Sequence, residues 1–154
     1  NKRISAQTGT PLLKNLYAFL LTYIGSPVIM YGDEVGMSQA APLNLGSFPW
    51  NEDGQNRTLL EEIKRLTQIH NTYSQIISST VYTLYVNDIT RVYAYDRGGF
   101  ITVMNNGAGG SFVELPAWDG KYVDIISGDT LVAYSQALRL SVEPRSYRLL
   151  KRGF

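Results

Sequence analysis

The chain has 154 residues, 44% of them hydrophobic and 18% charged, which suits one ordinary domain or two small lobes and excludes wholesale disorder. Its 14 Lys+Arg against 13 Asp+Glu leave a net charge of +1, no surplus for gripping a phosphate backbone, so nucleic acid is excluded as a partner. With no cysteine and a single histidine, His70, disulfide scaffolds, thiolate zinc sites, cysteine nucleophiles and multi-histidine metal centres are also excluded.

Asn1 is not an initiator methionine, and Asn1-Lys2-Arg3-Ile4 has no signal-peptide core, so a processed start or a piece of a longer chain is expected. No compartment follows from this, cytoplasmic or secreted. Leu12 to Met30 comes nearest to a membrane span, but Lys14, Asn15, Gly25 and Pro27 interrupt it, and no membrane association is expected.

Thr10-Pro11 reads as an N-cap with proline at the first helical position. Leu13, Leu16, Tyr17, Leu20, Leu21 and Ile24 recur at helical spacing, Gly25 offers the left-handed stop, and Pro27 blocks continuation. Only Lys14, Asn15 and Thr22 are left for solvent, so this helix needs partners on more than one flank. Pro27 to Gly32 is a short unbroken apolar run, the pattern of a strand covered on both faces in a parallel sheet. From Asp33 to Gln55 periodicity vanishes among Gly36, Pro42, Gly46, Pro49 and Gly54, a loop long enough to carry function or cover a cleft. Asn56 then caps a second helix with Leu59, Ile63 and Leu66 on its buried stripe and a Glu61–Arg65 pair on the wet side.

Beyond Ser79 the period changes to two. Val81–Val86, Arg91–Tyr95, Ile101–Met104, Val123–Ile125 and Leu138–Glu143 alternate, separated by Asn, Asp and Gly turn residues. The 11 Tyr, 5 Phe and 2 Trp suit such strands and also sugar stacking. The expected fold class is therefore α/β plus all-β, with an α/β segment at 1–78 and an antiparallel β-sandwich at 79–154 able to stand on its own.

Asp33 and Glu34 follow the apolar run, where parallel sheets display working groups. Neighbours on an extended chain point apart, so they cannot easily flank one glycosidic bond as an acid and nucleophile do. Either they contact substrate directly, or one caps a turn or pairs with an arginine. Tyr31, Phe48 and Trp50 lie near the same place; Trp50 is a hydrophobic plug or a sugar platform. Trp118, in a turn, either closes the sandwich end or serves a carbohydrate surface. His70 extends the Leu59, Ile63, Leu66 stripe and reads as structural rather than as a general base. Ser135 and Ser146 lack nucleophile-elbow context, Gly107–Gly110 reads as a hairpin loop, and Asn56-Arg57-Thr58 fits the glycosylation triplet.

The string from Gly25 to Met37 resembles the eighth-strand segment of the α-amylase superfamily of glycoside hydrolases, G-x-P-x-I-Y-Y-G-D-E-x-G. Phe48-Pro49-Trp50-Asn51 resembles the loop that follows, Gln55 to Leu60 the opening of the last barrel helix, and Leu138 to Leu149 the closing strands of the C-terminal sandwich. Among subgroups the likeness is to neopullulanase, cyclomaltodextrinase and maltogenic amylase types. The resemblance implies the last helix–strand–helix part of a (β/α)8 barrel followed by a β-sandwich, from a retaining enzyme acting on α-1,4 or α-1,6 glucosidic bonds. The family's three catalytic carboxylates follow earlier strands, and the chain holds no Asn-His-Asp triplet. No catalytic residue is therefore carried over, and Tyr31, Asp33, Glu34 and Trp50 remain as candidates near substrate or behind it. An Asp-Pro and an Arg that often follow the motif are missing from Ser38–Ser47. No metal or cofactor is expected in this chain. The expected partners are an α-glucan oligosaccharide through the parent enzyme, and a companion chain carrying the rest of the barrel or a second copy. A noncatalytic glucan-binding or interaction module is the alternative.

Overall fold

The computed structural model describes residues 3–38 and 46–153; residues 39–45 of the expected long loop lie outside the described residues. Among the described residues three α-helices precede the strands: α1 (Thr10–Thr22), α2 (Arg57–Thr72) and the short α3 (Ser74–Ser78). Eight strands follow: β1 (Val81–Asn87), β2 (Val92–Arg97), β3 (Phe100–Asn105), β4 (Ser111–Pro116), β5 (Gly120–Asp124), β6 (Thr130–Ala133), β7 (Ala137–Val142) and β8 (Ser146–Arg152). They form a six-stranded sheet in the order β1-β2-β3-β8-β5-β6 and a two-stranded sheet β4-β7, antiparallel throughout. Beyond the five alternating runs, β4, β6 and β8 are additional strands, β8 being the final strand that the family resemblance implied. Gly107–Gly110 is not a hairpin loop, because β3 and β4 lie in different sheets.

The larger sheet has two covered faces, which is why every residue of β3 is buried. Val92, Ala94, Ile101, Val103 and Leu150 face β4–β7 and pack on Val113, Leu115, Leu138 and Leu140. The opposite face carries Phe100 and Leu149, which meet Ile69 and Ile76 of the helices, and Tyr147, which packs on the α1–α2 core of Leu13, Tyr17, Leu21, Leu59, Ile63 and Leu66. Tyr147 Oη also donates to Glu62 of α2, and burial, with that contact second, keeps its phenol well above the ordinary range.

This second covered face changes the reading of α1. Asn15 and Thr22, expected in solvent, are buried against the sheet. Asn15 Nδ2 donates to Asn105 O (3.0 Å) and Asn106 Oδ1 (2.9 Å), while Thr22 Oγ1 shares a 2.6 Å hydrogen bond with Tyr95 Oη. The N-cap is Gly9 rather than Thr10, and the helix ends at Thr22 rather than Ile24. It ends early because Tyr23 turns extended and its carbonyl is taken by the buried Arg97. The same guanidinium donates to Ile77 O (2.6 Å) and Ser79 O (3.0 Å), satisfying carbonyls at two helix ends at once.

α2 forms as its pattern requires: Asn56 Oδ1 accepts from Leu59 N (3.0 Å), and Leu59, Ile63, Leu66, Ile69 and His70 are buried. Glu61 pairs with Lys64 (2.8 Å) instead of Arg65, because Arg65 reaches across to Ile125 O (2.9 Å). Ile125 itself falls just past the end of β5.

The apolar run Pro27–Gly32 does not form a strand. All eight strands pair among themselves, so the run has no neighbour within the described chain to complete its ladder. Ile29 packs on the α1–α2 core, whereas Val28 is 82% exposed and Met30 and Tyr31 are exposed beside it. One face is covered by helices and the other is bare.

Candidate functional site

Tyr31, Asp33 and Glu34 sit on a compact double turn, not on an extended chain, and Trp50 lies apart from it. Gly32 and Gly36 adopt φ of +84° and +71°, and a Cβ at Gly32 would lie 2.6 Å from Met37 Sδ, so the motif needs glycine there. Met37 N donates to Gly32 O (2.8 Å) and Gly36 N to Asp33 O (3.0 Å), closing the turns. Val35 and Met37 are buried beneath, and Asn56 N donates to Val35 O (2.9 Å). Asn56 Nδ2 meanwhile donates to Thr10 Oγ1 (2.9 Å), so one asparagine ties the starts of both long helices to the motif. That structural work occupies the side chain of the glycosylation triplet.

Asp33 and Glu34 diverge. Arg3 Nη1 donates to Asp33 Oδ1 (2.6 Å) and to Tyr31 O (3.0 Å), and its guanidinium carbon stands 5.2 Å from the centre of the Tyr31 ring. The Arg3 side chain is fully buried, and its Nε and Nη2 have no partner among the described residues. Glu34 turns instead to a shallow groove along α2, beside Leu60 and Lys64. The two carboxylates therefore serve different surroundings and do not form an acid–nucleophile pair, and Asp33 is held by an arginine. Beneath them the buried Tyr17 phenol is pushed up to about 12, first by desolvation and then by Asp33 and Glu34, with Arg3 opposing. It stays protonated and serves as packing.

Tyr31 Oη donates to Gly46 O (2.7 Å), which fixes its ring at the edge of the turn. Trp50 is no plug among the described residues: it is 86% exposed, with only Phe48 tilted against it at 4.9 Å. The arrangement brings together exposed aromatic faces and one carboxylate held by an arginine. His70 Nδ1 lies 2.7 Å from Leu21 O, a satisfied structural histidine. Ser146 Oγ donates to Glu143 O (2.8 Å), so its proton is engaged by a backbone carbonyl. Among the described residues no group of three or more His, Asp or Glu could hold a metal ion.

Arg3 is the residue that sequence reasoning did not single out. It lies 30 positions from Asp33 and outside every periodic segment, so the only trace of its role was a cation unaccompanied by helix or strand patterning.

No family model matches the chain. Among curated proteins it is 31% identical over 144 residues to a cyclomaltodextrinase of Thermoanaerobacter pseudethanolicus, covering 90% of this chain and 24% of the relative. It is 28% identical over 143 residues to neopullulanase 2 of Thermoactinomyces vulgaris, covering 88% and 24%. The chain thus spans about a quarter of the length of these relatives. An α-amylase structure from Malbranchea cinnamomea superposes with a TM-score of 0.85 at 20% identity, covering 98% of this chain and 35% of that one. The β-rich part matches the C-terminal β domain of α-amylases. Other solved chains of this fold hold maltotriose, maltose or acarbose.

Proposed function

We propose, from the premise that the chain matches the C-terminal portion of an α-amylase-family glycoside hydrolase, that it closes the barrel and carries the sandwich of a retaining enzyme acting on α-glucans. In this reading residues 1–78 supply the last helix, strand and helix of a (β/α)8 barrel, and residues 79–154 the C-terminal sandwich. The observation that carries it is the segment Pro27–Tyr31. Ile29 rests on the α1–α2 pair while Val28 and Met30 are bare, the half-covered state of a barrel strand whose neighbours are still to be added. Pairing there would place Tyr31, Asp33 and Glu34 at the carboxyl end of that strand, where barrels gather their substrate contacts. Asp33, fixed by Arg3, would shape the rim, and Tyr31 and Trp50 would offer faces to a glucose ring.

The bond-breaking carboxylates belong, in this reading, to the companion portion, hydrolysis or transfer of an α-1,4 or α-1,6 bond being its work. The chain alone should release no reducing sugar from starch, pullulan or cyclodextrin above buffer. Mixing or co-expressing it with the upstream portion of its reading frame should restore turnover. Robust cleavage by the purified chain by itself would overturn the proposal.

A further inference from the structure

The two sheets of the sandwich are unequal, and the mismatch leaves part of an inner face uncovered. Where β4 stops at Pro116, the larger sheet continues with a transverse row of side chains. Tyr82 lies opposite Asp96, Asp96 opposite Ile101 and Ile101 opposite Leu150, with Arg152 opposite Tyr122 alongside. Leu150 is covered, but Tyr82, Asp96, Ile101, Tyr122 and Arg152 border a cleft of about 540 Å³, flanked on its other side by Trp118 and Gln136.

Its composition is mixed in a particular way. Ile101 and Tyr122 form an apolar floor, while Trp118 and Tyr82 are 72% and 63% exposed and so do not close the sandwich end. Asp96 is partly desolvated, which raises its carboxyl above the ordinary range, and its one hydrogen bond among the described residues, from Gly99 N to Oδ1, is long at 3.3 Å. Its acceptor capacity is largely unspent. Arg152, Asp96 and the Gln136 amide bring one positive, one negative and one neutral polar group to the same small space.

The lip is fixed at a conformational cost. Ser135 and Gln136 form the two-residue turn between β6 and β7 with φ of +53° and +59°, a geometry that favours Asn and Gly. Asp119 Oδ1 holds it by accepting from Gln136 N (2.6 Å), and Ala117 N donates to Gln136 O (3.0 Å). Tyr122 Oη donates to Trp118 O (3.1 Å) and Arg152 Nη2 to Asp119 O (3.1 Å), so the segment bearing the indole is tied to the floor.

Exposed aromatic faces beside balanced polar groups suit a neutral, polyhydroxylated ligand: ring C–H groups meet the π faces, and hydroxyls meet Asp96, Gln136 and Arg152. An anion would gain nothing from a cleft whose cation is offset by a carboxylate. We propose that this cleft is a carbohydrate-binding site that seats a short stretch of an α-glucan between Trp118 and Tyr82. The choice of α-glucan rests on the enzyme-family reading above; the choice of a sugar rests on the cleft.

The test is affinity electrophoresis of the full 154-residue chain in gels containing amylose or hydroxyethylcellulose, alongside Trp118→Ala, Tyr82→Ala and Trp50→Ala, with circular dichroism to verify folding. Retardation by amylose is expected, weakened about tenfold or more by Trp118→Ala and by Tyr82→Ala, and less by Trp50→Ala. No retardation, or retardation lost only with Trp50→Ala, would overturn the site. Retardation by the cellulose derivative but not by amylose would overturn the α-glucan assignment. None of these outcomes touches the restored turnover that tests the enzyme reading, so the two can fail separately.

Discussion

Strand β3 and the segment Pro27–Tyr31 are both apolar, both rich in β-favouring residues, and end in opposite conditions. β3 has β2 on one edge and β8 on the other, with a sheet over one face and helices over the second. Pro27–Tyr31 has a helix pair under one face and neither edge filled. The difference lies in company rather than composition: a strand is made by its neighbours, and β-propensity expresses little more than fitness to be enclosed.

Hydrogen exchange probes that contrast most strongly. Amides of Ile101 to Met104 should be protected about a thousandfold or more over those of Val28 to Met30. Adding the upstream portion should protect the latter; strong protection in the chain alone would break the comparison. Next in size is Arg97→Ala. It removes the donors that satisfy carbonyls of Tyr23, Ile77 and Ser79, and urea unfolding should show a loss of about 3 kcal/mol. A loss below about 1 kcal/mol would mean that the helices are not held to the sheet through this residue.

The smallest effect belongs to Asp96→Asn. Burial raises the folded carboxyl above its unfolded value, so its contribution to stability is present below the unfolded pKa and is lost as pH rises through the folded one. At pH 7 the charged form is therefore the costly one. The amide should raise Tm by about 1–2 °C at about pH 7 and leave it unchanged near pH 3. An equal shift at both pH values would assign the effect to something other than ionisation.

Local patterns were readable where their cause is local. Asn56 with the Leu59, Ile63, Leu66 stripe announces α2, because a cap and a period of 3.6 need nothing beyond the segment itself. The alternations in β1, β2 and β7 likewise point to an antiparallel assembly. What lay beyond reach was whatever depends on a distant partner. Arg97 and Asn15 look like surface residues because alternation reveals one buried face and says nothing of a second layer laid over the other. Arg3 and Asp33 meet across a gap no periodicity spans. At the candidate rim, Gly32 and Gly36 mark the turn, but the divergence of Asp33 and Glu34 follows from its curl, which an extended reading of the same residues does not contain.

The helices rest on the sheet through Tyr95, Phe100, Thr102 and Leu149, all buried, and this bears on how the molecule may be divided. Severing the polypeptide between Ser78 and Ser79 would strip a lid from that surface and leave a wet, sticky platform. The strands are thus less a detachable ornament than the floor beneath the helical storey, a foundation that storey cannot shed cleanly.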